Sequence, residues 1–138
     1  MTSTGKKHIS RCAIAFALDA FGDRWSLLVI RDLLLRGNKT YGEFLDSGEG
    51  IATNVLADRL KNLETAGIIK KSKDSNNRRK NIYELTEKGL DLTPVILEII
   101  RWSAHYDPQT SAARETLQRI ENDRDGLIED LRSGVSTG

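Results

Sequence analysis

A chain of 138 residues, 38% hydrophobic and 30% charged, suits one domain with its own core, burying roughly two thirds of the unfolded surface. No apolar run approaches the roughly 18 residues of a membrane helix; Ala13 to Leu18 is followed by charges, not a cleavage site; and a single cysteine excludes an internal disulfide. A reducing, cytoplasmic setting is therefore expected. The net charge of +1 conceals an uneven spread. Lys70, Lys71, Lys73, Arg78, Arg79 and Lys80 stand against Asp74 alone, a local net of +5, whereas the tail from Asp107 onward is net −3.

The whole chain, 1–138, reads as a single domain that begins with a flexible arm over 1–11. A first helix covers Cys12 to Phe21, with Cys12, Ala15, Phe16 and Leu18 on one face, and Gly22 interrupts it. The second runs from Arg24 to Arg36 and closes at Gly37-Asn38. Thr40 and Glu43 have capping-box spacing, so a short third helix spans Tyr41 to Asp46, and Gly48 and Gly50 make the turn after it. In the fourth helix, Thr53 to Ala66, Leu56, Leu60 and Leu63 recur at i, i+4 and i+7, leaving Thr53, Asn54, Asp58 and Lys61 outward. Gly67 ends it.

Ile68 to Ser72 and Ile82 to Leu85 then read as two strands joined by the basic Lys73–Asn81 loop. Thr86 caps a fifth helix whose apolar residues, from Leu92 to Trp102, are too many for one stripe, and Pro94 inside it predicts a kink. After Asp107-Pro108 a last helix over 111–132 places Leu117, Ile120, Leu127 and Leu131 at heptad-like spacing, broken by Arg124. Surplus apolar surface on the first, fifth and last helices predicts a two-fold dimer. The alternative is a last helix folded back on its own core.

The fold class is mainly α with a small antiparallel β wing, the outline of a winged helix-turn-helix. A helix in the major groove reads bases through its N-terminal residues, which makes Thr53 and Asn54 the candidate readers. Asn pairs bidentately with adenine, and the Thr methyl meets thymine. Thr53 could instead be only the helix cap. Lys61 lies on the same outward face; Arg59, more than a turn in, suits a phosphate contact or an internal bridge, and Asp58 has no assigned role. Arg78, Arg79 and Lys80 suit a narrow minor groove or its phosphates. Thr40 and Tyr41 could hold a phosphate by hydroxyl and helix N-terminus. His8 and His105 are the only histidines, and no phosphate loop, nucleophile elbow or metal-ligand spacing occurs. No enzyme activity, cofactor or metal is expected. The competing class is a winged helix that binds protein.

Several segments in fixed order carry a resemblance: Gly22-Asp23-Arg24-Trp25-Ser26-Leu27-Leu28, Arg31-Asp32-Leu33-Leu34, Tyr41-Gly42-Glu43-Phe44, Ile51-Ala52-Thr53-Asn54-Val55-Leu56, Arg59-Leu60-Lys61-Asn62-Leu63-Glu64 and Tyr83-Glu84-Leu85-Thr86-Glu87-Lys88-Gly89. Over this core, 12–103, the chain resembles the HxlR-type family of bacterial winged-helix regulators, related to the MarR-like group. The resemblance implies a small dimeric transcription factor on double-stranded operator DNA, by default a repressor. It also implies an N-terminal cysteine at Cys12, a thiol sensor in some relatives; a buried packing residue is the alternative. The resemblance names no inducer. Ala52 stands where the family often has Ser, which favours a cap moved to Thr53.

Overall fold

The computed structural model describes residues 11–134. Most of the expected N-terminal arm lies outside the described residues. Helix α1, Ala13–Phe21, buries no residue; α2, Arg24–Arg31, begins at Asp23, whose carboxylate accepts from the Trp25 and Ser26 amides. Asp23 is therefore an N-cap that satisfies two of the donors a helix start leaves open. The expected single helix to Arg36 is corrected. From Asp32 to Arg36 the chain widens into a π-helical turn, closed by Gly37 in the left-handed region at φ 70°. Leu34 enters the core there while Leu33 and Leu35 stay half-buried on either side.

Helix α3 spans Tyr41–Leu45 and starts with the predicted capping box: Thr40 Oγ1 accepts from the Glu43 amide, and Glu43 reaches back to the Thr40 amide. Helix α4, Thr53–Thr65, buries Leu56, Leu60 and Leu63 as its spacing required. Strands β1, Ile69–Lys73, and β2, Asn81–Leu85, pair antiparallel with Ile69 opposite Leu85 and Lys73 opposite Asn81. On the outer edge of β2 the Tyr83 amide donates to the Lys39 carbonyl at 2.8 Å, which ties the approach to α3 onto the hairpin. Phe44 and the buried Tyr83 ring meet at 6.0 Å behind that link.

The fifth helix is not one kinked rod. Thr86 caps a short α5, Glu87–Leu90, and α6 starts afresh over Thr93–Tyr106. Pro94 sits in the first turn of α6, where its missing N–H costs no helical bond, so no kink arises. The C-terminal segment is likewise two helices, α7, Arg114–Asn122, and α8, Arg124–Arg132, which meet at a non-helical Asp123. Ile120, Leu127 and Leu131 are buried in this chain's own core with Ile96 and Leu97 of α6. The apolar stripe read there as a dimer face is thus spent internally. Arg119 reinforces the fold-back by bridging Asp123 at 2.8 Å and Asp130 at 2.9 Å, and Arg124 joins Glu98 of α6 at 3.1 Å.

Unspent apolar surface remains on two helices. Val95, Ile99, Trp102 and Tyr106 of α6 are exposed at i, i+4, i+7 and i+11, a single stripe, and Ile14, Phe16 and Leu18 of α1 are exposed as well. Among the described residues no helix is long and apolar enough to cross a membrane.

Candidate nucleic-acid interface

The start of α4 is held from two sides. Tyr41 donates its hydroxyl to the Thr53 carbonyl at 2.7 Å, which pins the first turn of α4 to the start of α3. Arg59, one turn and a half further along, donates Nε to Asp23 at 2.9 Å and Nη1 to Asp58 at 2.7 Å. Asp23 therefore caps α2 and anchors α4 with one carboxylate. Burial alone would raise its pKa, but the Ser26 hydroxyl and amide and the Arg59 guanidinium outweigh it and hold the carboxyl below the usual range.

These contacts sort the predicted residues. Ala52, not Thr53, is the N-cap, so Thr53 and Asn54 are the first two helical residues, both exposed and clear of any capping duty. Lys61 is exposed on the same helix. Arg59 takes the internal-bridge alternative, with Nε on Asp23 and Nη1 on Asp58. Asp58 gains a role at the same stroke: it accepts from Arg59 and from Asn62 Nδ2 at 3.3 Å rather than pairing with Lys61.

Thr40 and Tyr41 do not present a phosphate site. The Glu43 carboxylate already accepts from the Lys39 amide at 2.7 Å and the Thr40 amide at 3.1 Å, and those amides hold its pKa below the ordinary value. An anion at that helix start would compete with a carboxylate in place, and the Tyr41 proton is committed to Thr53. Thr40 caps α3, and Tyr41 positions α4 instead. Sequence spacing could show the capping box but not the Tyr41 bond, which joins residues twelve apart across a turn.

The hairpin tip is shaped by its own polar side chains. The Asp74 amide donates to the Lys80 carbonyl at 3.0 Å, and Asn77 folds the tip by accepting the Lys80 amide on its carbonyl and the Arg79 amide on Oδ1. Arg78, Arg79 and Lys80 all stay exposed, as do Lys70, Lys71 and Lys73 on β1. A turn closed by its own hydrogen bonds that carries three adjacent cations suits a polyanion.

Cys12 occupies the N-cap of α1 and is exposed in the single chain, so it is not packed in this chain's own core. Lys6, Lys7 and His8, its neighbours in sequence, lie outside the described residues. Among the described residues no group of His, Cys, Asp and Glu is arranged to hold a metal ion.

A short helix, a glycine turn, a second helix with exposed N-terminal polar residues and a basic two-stranded hairpin together define a winged helix-turn-helix, a DNA-binding class. Residues 20–111 match the HxlR-like helix-turn-helix family, and the chain belongs to it, among DNA-binding transcriptional regulators. It is 32% identical over 100 residues to an uncharacterized HTH-type transcriptional regulator, sll1512, of Synechocystis sp., a match covering 72% of this chain and 73% of the relative. The crystal structure of PA1607 superposes with a TM-score of 0.69 at 36% identity, over 77% of this chain and 74% of that one. The redox regulator HypR in its oxidized form superposes with a TM-score of 0.61 at 27% identity, over 68% of this chain and 96% of HypR.

Proposed function

We propose that this regulator is a cytoplasmic repressor that binds a palindromic operator as a homodimer, reading bases with Thr53 and Asn54 and holding phosphate with Lys61 and the hairpin cations. It carries no enzymatic activity in this reading. The observation that supports it most is the division of labour around α4: Tyr41, Asp23 and Arg59 lock the helix from behind, while Thr53, Asn54 and Lys61 are left exposed. Contacts to base edges specify, and contacts to phosphate only position. Asn54→Ala should therefore cost about 1–3 kcal/mol on an operator chosen from random duplexes, relax preference at one symmetric position, and barely change binding to random DNA. Duplex binding absent at every salt concentration would return the chain to the protein-binding class of winged helix.

The dimer follows from the stripe on α6 and the bare α1, which a single copy leaves in water. A two-fold axis lets one such patch cover its own equivalent. Half-sites about 10 base pairs apart, or a small multiple of that, are expected. Sedimentation should show a dimer at micromolar concentration that Trp102→Glu shifts towards monomer; a monomeric wild type overturns the assembly.

Cys12 extends the proposal to thiol sensing, because it is exposed at the mouth of a helix that belongs to the dimer surface and HypR, a similar protein, is a redox regulator. Diamide should then change operator affinity of the wild type, through a disulfide across subunits or with a small thiol, and Cys12→Ser should abolish the response. Equal responses in both proteins would remove Cys12 from regulation.

A further inference from the structure

A carboxylate lies in the middle of the face that α4 turns outward. Leu56, Leu60 and Leu63 fix the buried side of the helix. At about 100° per residue, the point opposite that side falls between Asn54 and Asp58. The Asp58 side chain is 56% exposed. It follows Asn54 by four residues and so stands about 6 Å further along the axis. Base pairs stack roughly every 3.4 Å, which sets Asp58 over a base about two steps from the one that Asn54 meets.

Asp58 is also held still. Its Oδ2 accepts from Arg59 Nη1 at 2.7 Å and from Asn62 Nδ2 at 3.3 Å, and Arg59 is fixed in turn by Nε on Asp23 at 2.9 Å. Among the described residues no hydrogen bond reaches Asp58 Oδ1. Nor is the charge cancelled: Asp23 and Asp58 are two carboxylates on one guanidinium, a local net of −1. Asp23 alone ties Arg59 to α2; Asp58, its neighbour on the same helix, adds no link between elements. What it adds is an anion in the face that meets a polyanion, and this weakens binding to every duplex unless a base supplies a donor.

An ionised carboxylate only accepts hydrogen bonds. In the major groove guanine presents N7 and O6 and thymine presents O4, all acceptors, while adenine sets N7 beside its N6 amine. Cytosine presents its N4 amine with no acceptor on its own edge. We propose, on the reading of α4 given above, that Asp58 is a specificity-determining residue: its Oδ1 accepts the N4 amine of a cytosine close to the base read by Asn54, and its charge rejects guanine and thymine there. Arg59 and Asn62 aim the carboxylate from the other oxygen.

Duplexes selected from a random pool by the full-length wild type should carry cytosine at one symmetric position, about two base pairs from the one that Asn54→Ala relaxes. Replacing that cytosine by guanine or thymine should weaken wild-type binding by about tenfold in anisotropy titrations. Asp58→Asn should turn the selected base from cytosine to adenine, since an amide pairs with adenine N6 and N7. Asp58→Ala should accept all four bases there, keep the Asn54 preference and bind random duplex more tightly than the wild type. Both variants leave Arg59 on Asp23, so they should melt close to the wild type. Selected sequences that both variants leave unchanged overturn the assignment. Preference lost at every position together, with a lowered melting temperature, makes Asp58 a structural residue and overturns it as well. A wild type that binds no duplex defeats the reading of α4 and this inference with it, whereas sequence-specific binding with no cytosine at that position defeats the inference alone.

Discussion

Replacing Arg78, Arg79 and Lys80 together with alanine is expected to flatten the slope of log affinity against log salt by roughly 5, if each of two hairpins in a dimer gives up three phosphate contacts. The reason is counterion release: every phosphate neutralised by a cation frees condensed ions, contributing about 0.9 to the slope on duplex DNA. All three side chains are exposed at the tip, and the turn that presents them is closed by Asn77 and Asp74, which remain. The substitution should thus remove charge without unfolding the hairpin. Operator and random duplex should weaken together, by orders of magnitude at low salt and much less at high salt. Anisotropy titrations across a salt series measure both quantities. An unchanged slope would mean that the tip does not face DNA, and the positive cluster from Lys70 to Lys80 would need a different acidic partner.

Gly89→Ala is expected to destabilise the fold by about 3 kcal/mol, near the upper end for forcing an extra carbon into a packed site. A Cβ added there would stand 2.2 Å from the Ile68 carbonyl oxygen and 2.9 Å from Leu85 Cδ2. That carbonyl cannot retreat, because it accepts the Thr86 amide at 3.0 Å and the Thr86 hydroxyl at 3.1 Å. Gly89 is required by the close approach of α5 to the root of the hairpin. Midpoint temperature should fall by about 10 °C for a chain of this size. Gly42→Ala is the matched control: its added carbon meets nothing within 4 Å on exposed α3, so it should stabilise slightly, by about 0.4–1 kcal/mol. Thermal denaturation of the two variants side by side separates close packing from helix propensity, and equal melting would refute the account of Gly89.

The period of the apolar residues was enough to place α4, the strand pair and the capping box at α3. Leu56, Leu60 and Leu63 are buried and Thr40 and Glu43 exchange their bonds, because these patterns depend on neighbours within a turn or two of helix. The basic run was equally plain, since charge on a turn between two strands has nowhere to go but outward. Helix ends read less well. The π-helical turn from Asp32, the separation of α5 from α6 and the break at Asp123 all fall where one helical pattern continues on paper, and tertiary packing chose a different winding.

What the chain determines by itself is therefore its class: local periodicity, caps and a concentrated positive charge specify a winged helix-turn-helix and which of its helices would meet DNA. Only the tertiary structure decided the duties of individual side chains. Arg59 and Tyr41 were plausible phosphate donors in sequence, yet each donates to an acceptor distant in the chain, Arg59 Nε to Asp23 and the Tyr41 hydroxyl to the Thr53 carbonyl. The same holds for the last two helices, whose apolar stripe fitted a partner or this chain's own core equally well. A stripe states that burial must occur, through the cost of apolar surface in water, but carries no record of which surface will cover it. Here Ile120, Leu127 and Leu131 found α6 of their own chain, and the uncovered stripe passed to α6 and α1.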